Sequence, residues 1–292
     1  MSDPRIDADY NVRNSVAPEV FDRVIADYRV RSDEAVRGLS GHEGITYDEA
    51  GGQQLDIWGV GTEPRPVFLA VHGGYWRMLS RHDTAFMARV LDNAGIATVT
   101  VDYGLAPATP LEEIVRQVRA AVAWVFHHGR RYGLDPNRMV VGGSSAGGHL
   151  TGTTMMPGWQ AEFGLPADVV RAAMPISGLF DLRPLVDFTS EWLHLDLGRA
   201  AALSPALAPP RPEGVAEPVS VIAVAENDGA GFLEQSRHFH ELWSARSSSR
   251  LLTVPGRNHY DVFLDLADPD SELTGALLEL IAATGSQRGR RP

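Results

Sequence analysis

The chain has 292 residues, 44% of them hydrophobic and 22% charged, with a formal net charge of −11. That balance is ordinary for a globular protein, offers no apolar run of the roughly 18 residues needed to span a membrane, and argues against a polyanionic partner such as nucleic acid. Cysteine and lysine are both absent, which excludes disulfides, thiolate nucleophiles, cysteine zinc sites, Schiff-base chemistry, Ser-Lys dyads and a P-loop lysine.

The first residues lack the apolar core of a secretory signal, so a cytoplasmic protein is expected. Residues 1–40 are polar, with Val20, Phe21, Val24 and Tyr28 at helical spacing, and predict an N-terminal arm lying over the main domain. Segments 44–47 and 54–58 flank a glycine-rich turn and predict a β-hairpin. From residue 66 apolar strands alternate with amphipathic helices. Strands are expected at 67–71, 96–101, 138–142, 170–176, 219–225 and 250–254. Helices are expected at 82–93, 110–132, 231–245 and 271–284, with one more directly after the glycine-rich turn at 143–147. Near-continuous apolar strands separated by helices predict an α/β fold, a mostly parallel, doubly wound sheet with helices on both faces. Segment 178–212 breaks the rhythm and ends in three prolines, which predicts a small cap insertion. The expected organisation is therefore the arm, a single α/β domain over 41–285 and a flexible tail over 286–292, whose three arginines read as a solvated end.

Gly143-Ser144-Ser145-Ala146-Gly147 matches G-x-S-x-G in the context that gives the motif its meaning, after a strand and opening a helix. A nucleophile in such a tight turn projects above the sheet, and small flanking residues let neighbouring backbones approach. Ser145 has glycine two residues away on both sides; Ser144, the competing hydroxyl, has Ala146 on one. The loop His72-Gly73-Gly74-Tyr75-Trp76 follows the strand 67–71 in the place where hydrolases of this type aim backbone N–H groups at an oxyanion. Gly73 or Gly74, together with Ala146, are the expected donors. In this α/β-hydrolase order the acid follows a late strand and the base the last one, which selects Asp228 and His259, with Glu226 as the alternative acid. His238 and His240, two apart on a helix, face different ways. His127 and His128 fall at a helix end, and His149, on the helix opened by Ser145, reads as a packing or hydrogen-bonding group beneath the site. No His/Asp/Glu cluster has metal-ligand spacing, so neither a metal nor a cofactor is expected.

Taken together, HGGYW at 72–76, GSSAGGHL at 143–150, SGLFDLRP at 177–184 and Glu226-Asn227-Asp228 with Gln235-Ser236 resemble the arylformamidases, or kynurenine formamidases. These are metal-free serine hydrolases of the hormone-sensitive-lipase-like branch of the α/β-hydrolases. The resemblance covers most of the chain and implies Ser145, Asp228 and His259 as the triad. It also implies hydrolysis of an N-formyl arylamine such as N-formylkynurenine; relatives often carry a bulkier polar residue at the position of Ser144. A carboxylesterase for small acyl esters is the alternative, and a non-catalytic binding protein of the same fold is disfavoured because all three triad residues are present. Tyr75, Trp76, Phe180 and Trp192 are candidates to line an aromatic substrate pocket, with Phe188 beside them. The expected partner is a small aromatic formamide or ester, with no nucleic acid or membrane partner and a homodimer left open.

Overall fold

The apolar runs of the sequence form one eight-stranded sheet in a computed structural model that describes residues 4–286. In chain order the strands are β1 (Gly41–Asp48), β2 (Gln53–Trp58), β3 (Arg65–Val71), β4 (Ala97–Val101), β5 (Leu134–Ser144), β6 (Ala172–Ile176), β7 (Val219–Asn227) and β8 (Ser249–Asn258), arranged β1-β2-β4-β3-β5-β6-β7-β8. The β1–β2 hairpin joins antiparallel and every pairing from β4 to β8 is parallel. Strands β3, β4 and β6 are buried along nearly their whole length. This is why they read as unbroken apolar runs rather than alternating ones.

The helices are α1 (Pro4–Tyr10), α2 (Pro18–Val36), α3 (Ala88–Asn93), α4 (Leu111–His128), α5 (Ala146–Met155), α6 (Leu197–Ala202), α7 (Ala230–Ser244) and α8 (Glu272–Ser286). In α4 the stripe Ile114, Val118, Val122 and Val125 is buried, as an amphipathic helix on a sheet requires. The helix expected at 82–93 is a correction. Only a 3₁₀ turn at Arg81–Asp83 and the short α3 form there. Side chains from elsewhere hold the backbone here: Ser32 Oγ accepts from the Ala85 N–H at 3.0 Å and Asp102 Oδ1 from the Arg81 N–H at 2.8 Å, while the Arg81 guanidinium is fixed by Asp56, Asp102 and Gln54.

Within residues 1–40, α1 packs against α7 and α2 crosses α3. The α1 end is tied down tightly. The Tyr10 ring packs at a tilt against Phe232 with centroids 5.5 Å apart, and its hydroxyl accepts from Gln235 Nε2 at 2.9 Å. Segment 178–212 follows β6 as short turns and α6, and buries Leu182, Leu185, Trp192, Leu193 and Leu195. Residues 287–292 of the expected tail lie outside the described residues.

Candidate active site

Parallel pairing places every turn that matters at one edge of the sheet. Val71 of β3 lies opposite Gly143 of β5, and Asn227 of β7 opposite Asn258 of β8. The residues that follow each strand therefore converge: the loop 72–76 after β3, Ser145 after β5, Asp228 after β7 and His259 after β8.

Ser145 caps α5 with φ 60° and ψ −120°, a backbone region disfavoured for residues with a Cβ that costs on the order of 1–3 kcal/mol. Its N–H donates to the Ile176 carbonyl at 2.9 Å, tying the turn to the end of β6. The flanking glycines are required by close approach: a Cβ at Gly143 or at Gly147 would collide with the Val71 carbonyl oxygen. Ser145 Oγ lies 2.9 Å from His259 Nε2, and His259 Nδ1 lies 2.8 Å from Asp228 Oδ1. With a carboxylate on Nδ1, the proton sits on that nitrogen and Nε2 is free to accept from the serine hydroxyl. Asp228 Oδ1 also accepts from the Gly229 N–H at 2.8 Å, and its side chain is fully buried. The loop carrying His259 is shaped by Asn258 and Asp261. The Asn258 N–H donates to Asp261 Oδ1 at 2.7 Å, while Asn258 Oδ1 accepts from the Tyr260 N–H at 2.9 Å. The ring of Phe232 covers His259 at 4.4 Å.

The alternatives separate cleanly. Glu226 is exposed and accepts from the Gly256 N–H at 2.7 Å, so it joins the ends of β7 and β8 and does not reach the histidine. Ser144 is buried at the end of β5. On α7, His238 is paired with Glu241 and His240 meets Ser249 of β8, and His127 Nε2 meets the Phe163 carbonyl. No group of three or more His, Asp or Glu side chains among the described residues is arranged to hold a metal ion.

Gly73 lies against the turn, where a Cβ would sit 2.9 Å from the Ser144 carbonyl oxygen and 3.4 Å from Ser145 Cβ. Ala146 is the first residue of α5, where backbone N–H groups have no intrahelical acceptor and the helix dipole is positive. Gly74, Tyr75 and Trp76 then follow in succession with φ of 92°, 48° and 59°. For Tyr75 and Trp76 this left-handed backbone costs about 1–2 kcal/mol each, and both side chains are anchored. Tyr75 donates its hydroxyl to the Tyr10 carbonyl, and Trp76 donates its indole N–H to His149 Nδ1 at 3.2 Å. Beneath the loop, the His72 ring stacks on Tyr103 at 4.0 Å, and burial holds the His72 pKa below its ordinary value.

A cavity of about 340 Å³ opens above Ser145 and His259. One wall is Tyr75, Phe188 and Trp192, whose rings meet edge to face at 5.8–6.1 Å, with the Arg77 guanidinium 4.2 Å over Trp192. The lining also includes Phe21, Tyr28, Tyr260 and Phe263, with the Arg13 guanidinium 4.9 Å over Phe21. Two of the expected lining residues are corrections. Trp76 is fully buried behind the loop, turned to His149. Phe180 lies in a separate core, stacked on Phe239 at 4.1 Å. A bulky ring next to an oxyanion loop can serve either side of the backbone, and only the fold decides which. The Phe21–Tyr28 part of the lining was missed, although both aromatics fall on the apolar stripe of α2.

Residues 68–260 match the family described as alpha/beta hydrolase fold, and the chain belongs to it. The class of protein is thus an α/β-fold hydrolase carrying the Ser145–His259–Asp228 arrangement of a serine hydrolase. Among curated proteins, the chain is 29% identical over 243 residues to the kynurenine formamidase of Salmo salar, covering 81% of both chains. It is 29% identical over 184 residues to the carboxylesterase NlhH of Mycobacterium tuberculosis, covering 56% of each. Among solved structures, a putative thioesterase from Silicibacter superposes with a TM-score of 0.74 at 25% identity, covering 89% of this chain and 93% of that one. An esterase from Pyrobaculum calidifontis, at a TM-score of 0.70 and 19% identity over 91% of this chain and 93% of the other, shares the fold.

Proposed function

We propose that this protein hydrolyses N-formyl arylamines through a formyl-enzyme on Ser145. The observation that carries the proposal is the continuous row Ser145–His259–Asp228 at the floor of an aromatic-walled cavity; the kynurenine formamidase relatives support the choice of substrate. Ser145 Oγ attacks the formyl carbon as its proton passes to His259 Nε2, and Asp228 stabilises the imidazolium so formed. The oxyanion is received by the N–H groups of Ala146 and of Gly73 or Gly74, each donor worth about 3 kcal/mol in the transition state. His259 then protonates the amine nitrogen, the C–N bond breaks and the arylamine leaves. Water gives a proton to His259 and attacks the formyl ester; formate departs and Ser145 regains its proton.

Amides resist serine hydrolases because nitrogen donates into the carbonyl and the amine leaves poorly. An aryl group withdraws that lone pair, and a formyl carbon is unhindered, so the chemistry asks for little room on the acyl side and an aromatic slot on the other. Tyr75, following directly on Gly73 and Gly74, lines the cavity together with Phe188 and Trp192. Activity should therefore fall steeply from formanilide to acetanilide to butyranilide, each misfitting methylene costing about 1–3 kcal/mol. Measured kcat/KM across that series, beside p-nitrophenyl esters of the same acids, tests the reading. A flat series, or a preference for butyryl esters, would favour the second reading, a carboxylesterase, which the relative from Mycobacterium tuberculosis supports.

A further inference from the structure

His149 stands where three parts of the site meet. It lies on α5 one turn after Ser145, and its N–H donates to the Ser145 carbonyl at 3.0 Å. Its ring is fully buried; Nε2 faces the Leu203 carbonyl at 2.8 Å and Nδ1 accepts from Trp76 Nε1 at 3.2 Å, with the two rings edge to face at 5.2 Å. The carbonyl on Nε2 fixes the tautomer: the proton is on Nε2, which leaves Nδ1 as the acceptor that the indole needs. Burial lowers the pKa to about 4, so the ring remains neutral and keeps this polarity through the neutral range.

Trp76 in turn belongs to a loop that would not hold its shape unaided. Tyr75 and Trp76 are successive non-glycine residues in the left-handed region, and such conformations persist only where the surroundings over-determine them. The Trp76 carbonyl accepts from the Ala106 N–H at 2.8 Å, and the indole is clamped by His149. The two sets of oxyanion donors come from different elements, Gly73 and Gly74 from this loop and Ala146 from α5, and no backbone ladder joins loop to helix at this point. We infer that His149 is a positioning residue for the oxyanion hole, bridging α5 and the loop through Trp76 so that the two donor sets stay at the spacing a tetrahedral oxyanion requires. Leu203, just past α6, also makes the 178–212 segment a party to that spacing.

This inference rests on Ser145 being the nucleophile, so Ser145→Ala is assayed beside the variants. The test is a cycle of His149→Leu, Trp76→Phe and the double variant, read as kcat, KM and the affinity of an aryl trifluoromethyl ketone, whose serine adduct carries the oxyanion. His149→Leu and Trp76→Phe should each lower kcat by about ten- to a hundredfold with little change in KM. Ketone affinity should fall by a matching factor, and the double variant should be no worse than the worse single. His149→Gln should recover most of the loss, because its amide can accept from the indole and donate to Leu203. Unchanged kcat and ketone affinity in folded His149→Leu, a change confined to KM, or fully additive losses would overturn the inference while leaving Ser145 in place. If His149→Leu does not fold, Trp76→Phe decides alone, and wild-type kcat and ketone affinity in that variant would overturn it. Activity retained in Ser145→Ala would instead remove the proposed function and this inference with it.

Discussion

At the scale of single residues the site is a set of groups each held by something stronger than its own preference. Ser145 stays in a disfavoured backbone region because its N–H is tied to β6 and because Gly143 and Gly147 let β3 come close. Ser145→Ala and His259→Ala should each lower kcat by about four or more decades with folding intact. Asp228→Asn should lose about as much, because an amide in place of the carboxylate favours the wrong tautomer of His259. Glu226→Gln should retain near wild-type kcat, as Glu226 contacts only the Gly256 backbone in the hydrogen bonds it makes to β8. These four variants, assayed on one N-formyl arylamine, separate the row from its neighbours. Loss of activity in Ser144→Ala but not in Ser145→Ala would show that the register is wrong by one. The turn at Ser145 was legible from the sequence because two glycines at fixed offsets have a single physical use after a buried strand. The choice between Glu226 and Asp228 was less so, since it depends on a shift of the β7–β8 register between Ala225 and Asn227 that no local pattern announces.

At the scale of elements, period and hydrophobicity made the core strands plain, because β3, β4 and β6 are buried on both faces. The stretch 82–93 has the pattern of one helix and forms a 3₁₀ turn and the short α3 instead. Its apolar spacing is helical, but side chains distant in sequence capture its backbone: Ser32 accepts from the Ala85 N–H and Asp102 from the Arg81 N–H. The aromatic walls show the same limit. The sequence places aromatics in the 178–212 segment and on α2, but which of them face the cavity is a tertiary matter, as Phe180 and Phe188 demonstrate a few residues apart. If Phe21 and Trp192 both line an arene slot, Phe21→Ala and Trp192→Ala should each raise KM for formanilide several-fold to about tenfold, from roughly 1 kcal/mol or more of lost ring contact. Both variants should leave KM for a small N-formyl alkylamine nearly unchanged. Equal effects on both substrates would mean that the walls merely support the fold.

At the scale of the whole molecule, two buried neutral histidines make stability depend on acid. His149 has its pKa lowered from 6.5 to about 4 by burial, and His72 is lowered for the same reason. Between those values the unfolded chain binds a proton that the folded chain refuses, so stability is full above the unfolded pKa and declines as the pH falls toward 4. His149 alone would account for about 3 kcal/mol across that window. Chemical denaturation from pH 7 down to pH 4 should show this slope, and His149→Gln should flatten part of it; a slope unchanged in that variant would assign the acid sensitivity elsewhere.

The central claim is that a serine on the turn after β5 cleaves the amide bond of an N-formyl arylamine. The most direct measurement is the release of formate and arylamine from formanilide by the wild-type protein and by Ser145→Ala at equal concentration. The account predicts equimolar formate and amine from the wild type, and a rate about four decades lower from the variant. No formate from a wild-type protein that turns over nitrophenyl esters, or undiminished release by Ser145→Ala, would contradict it.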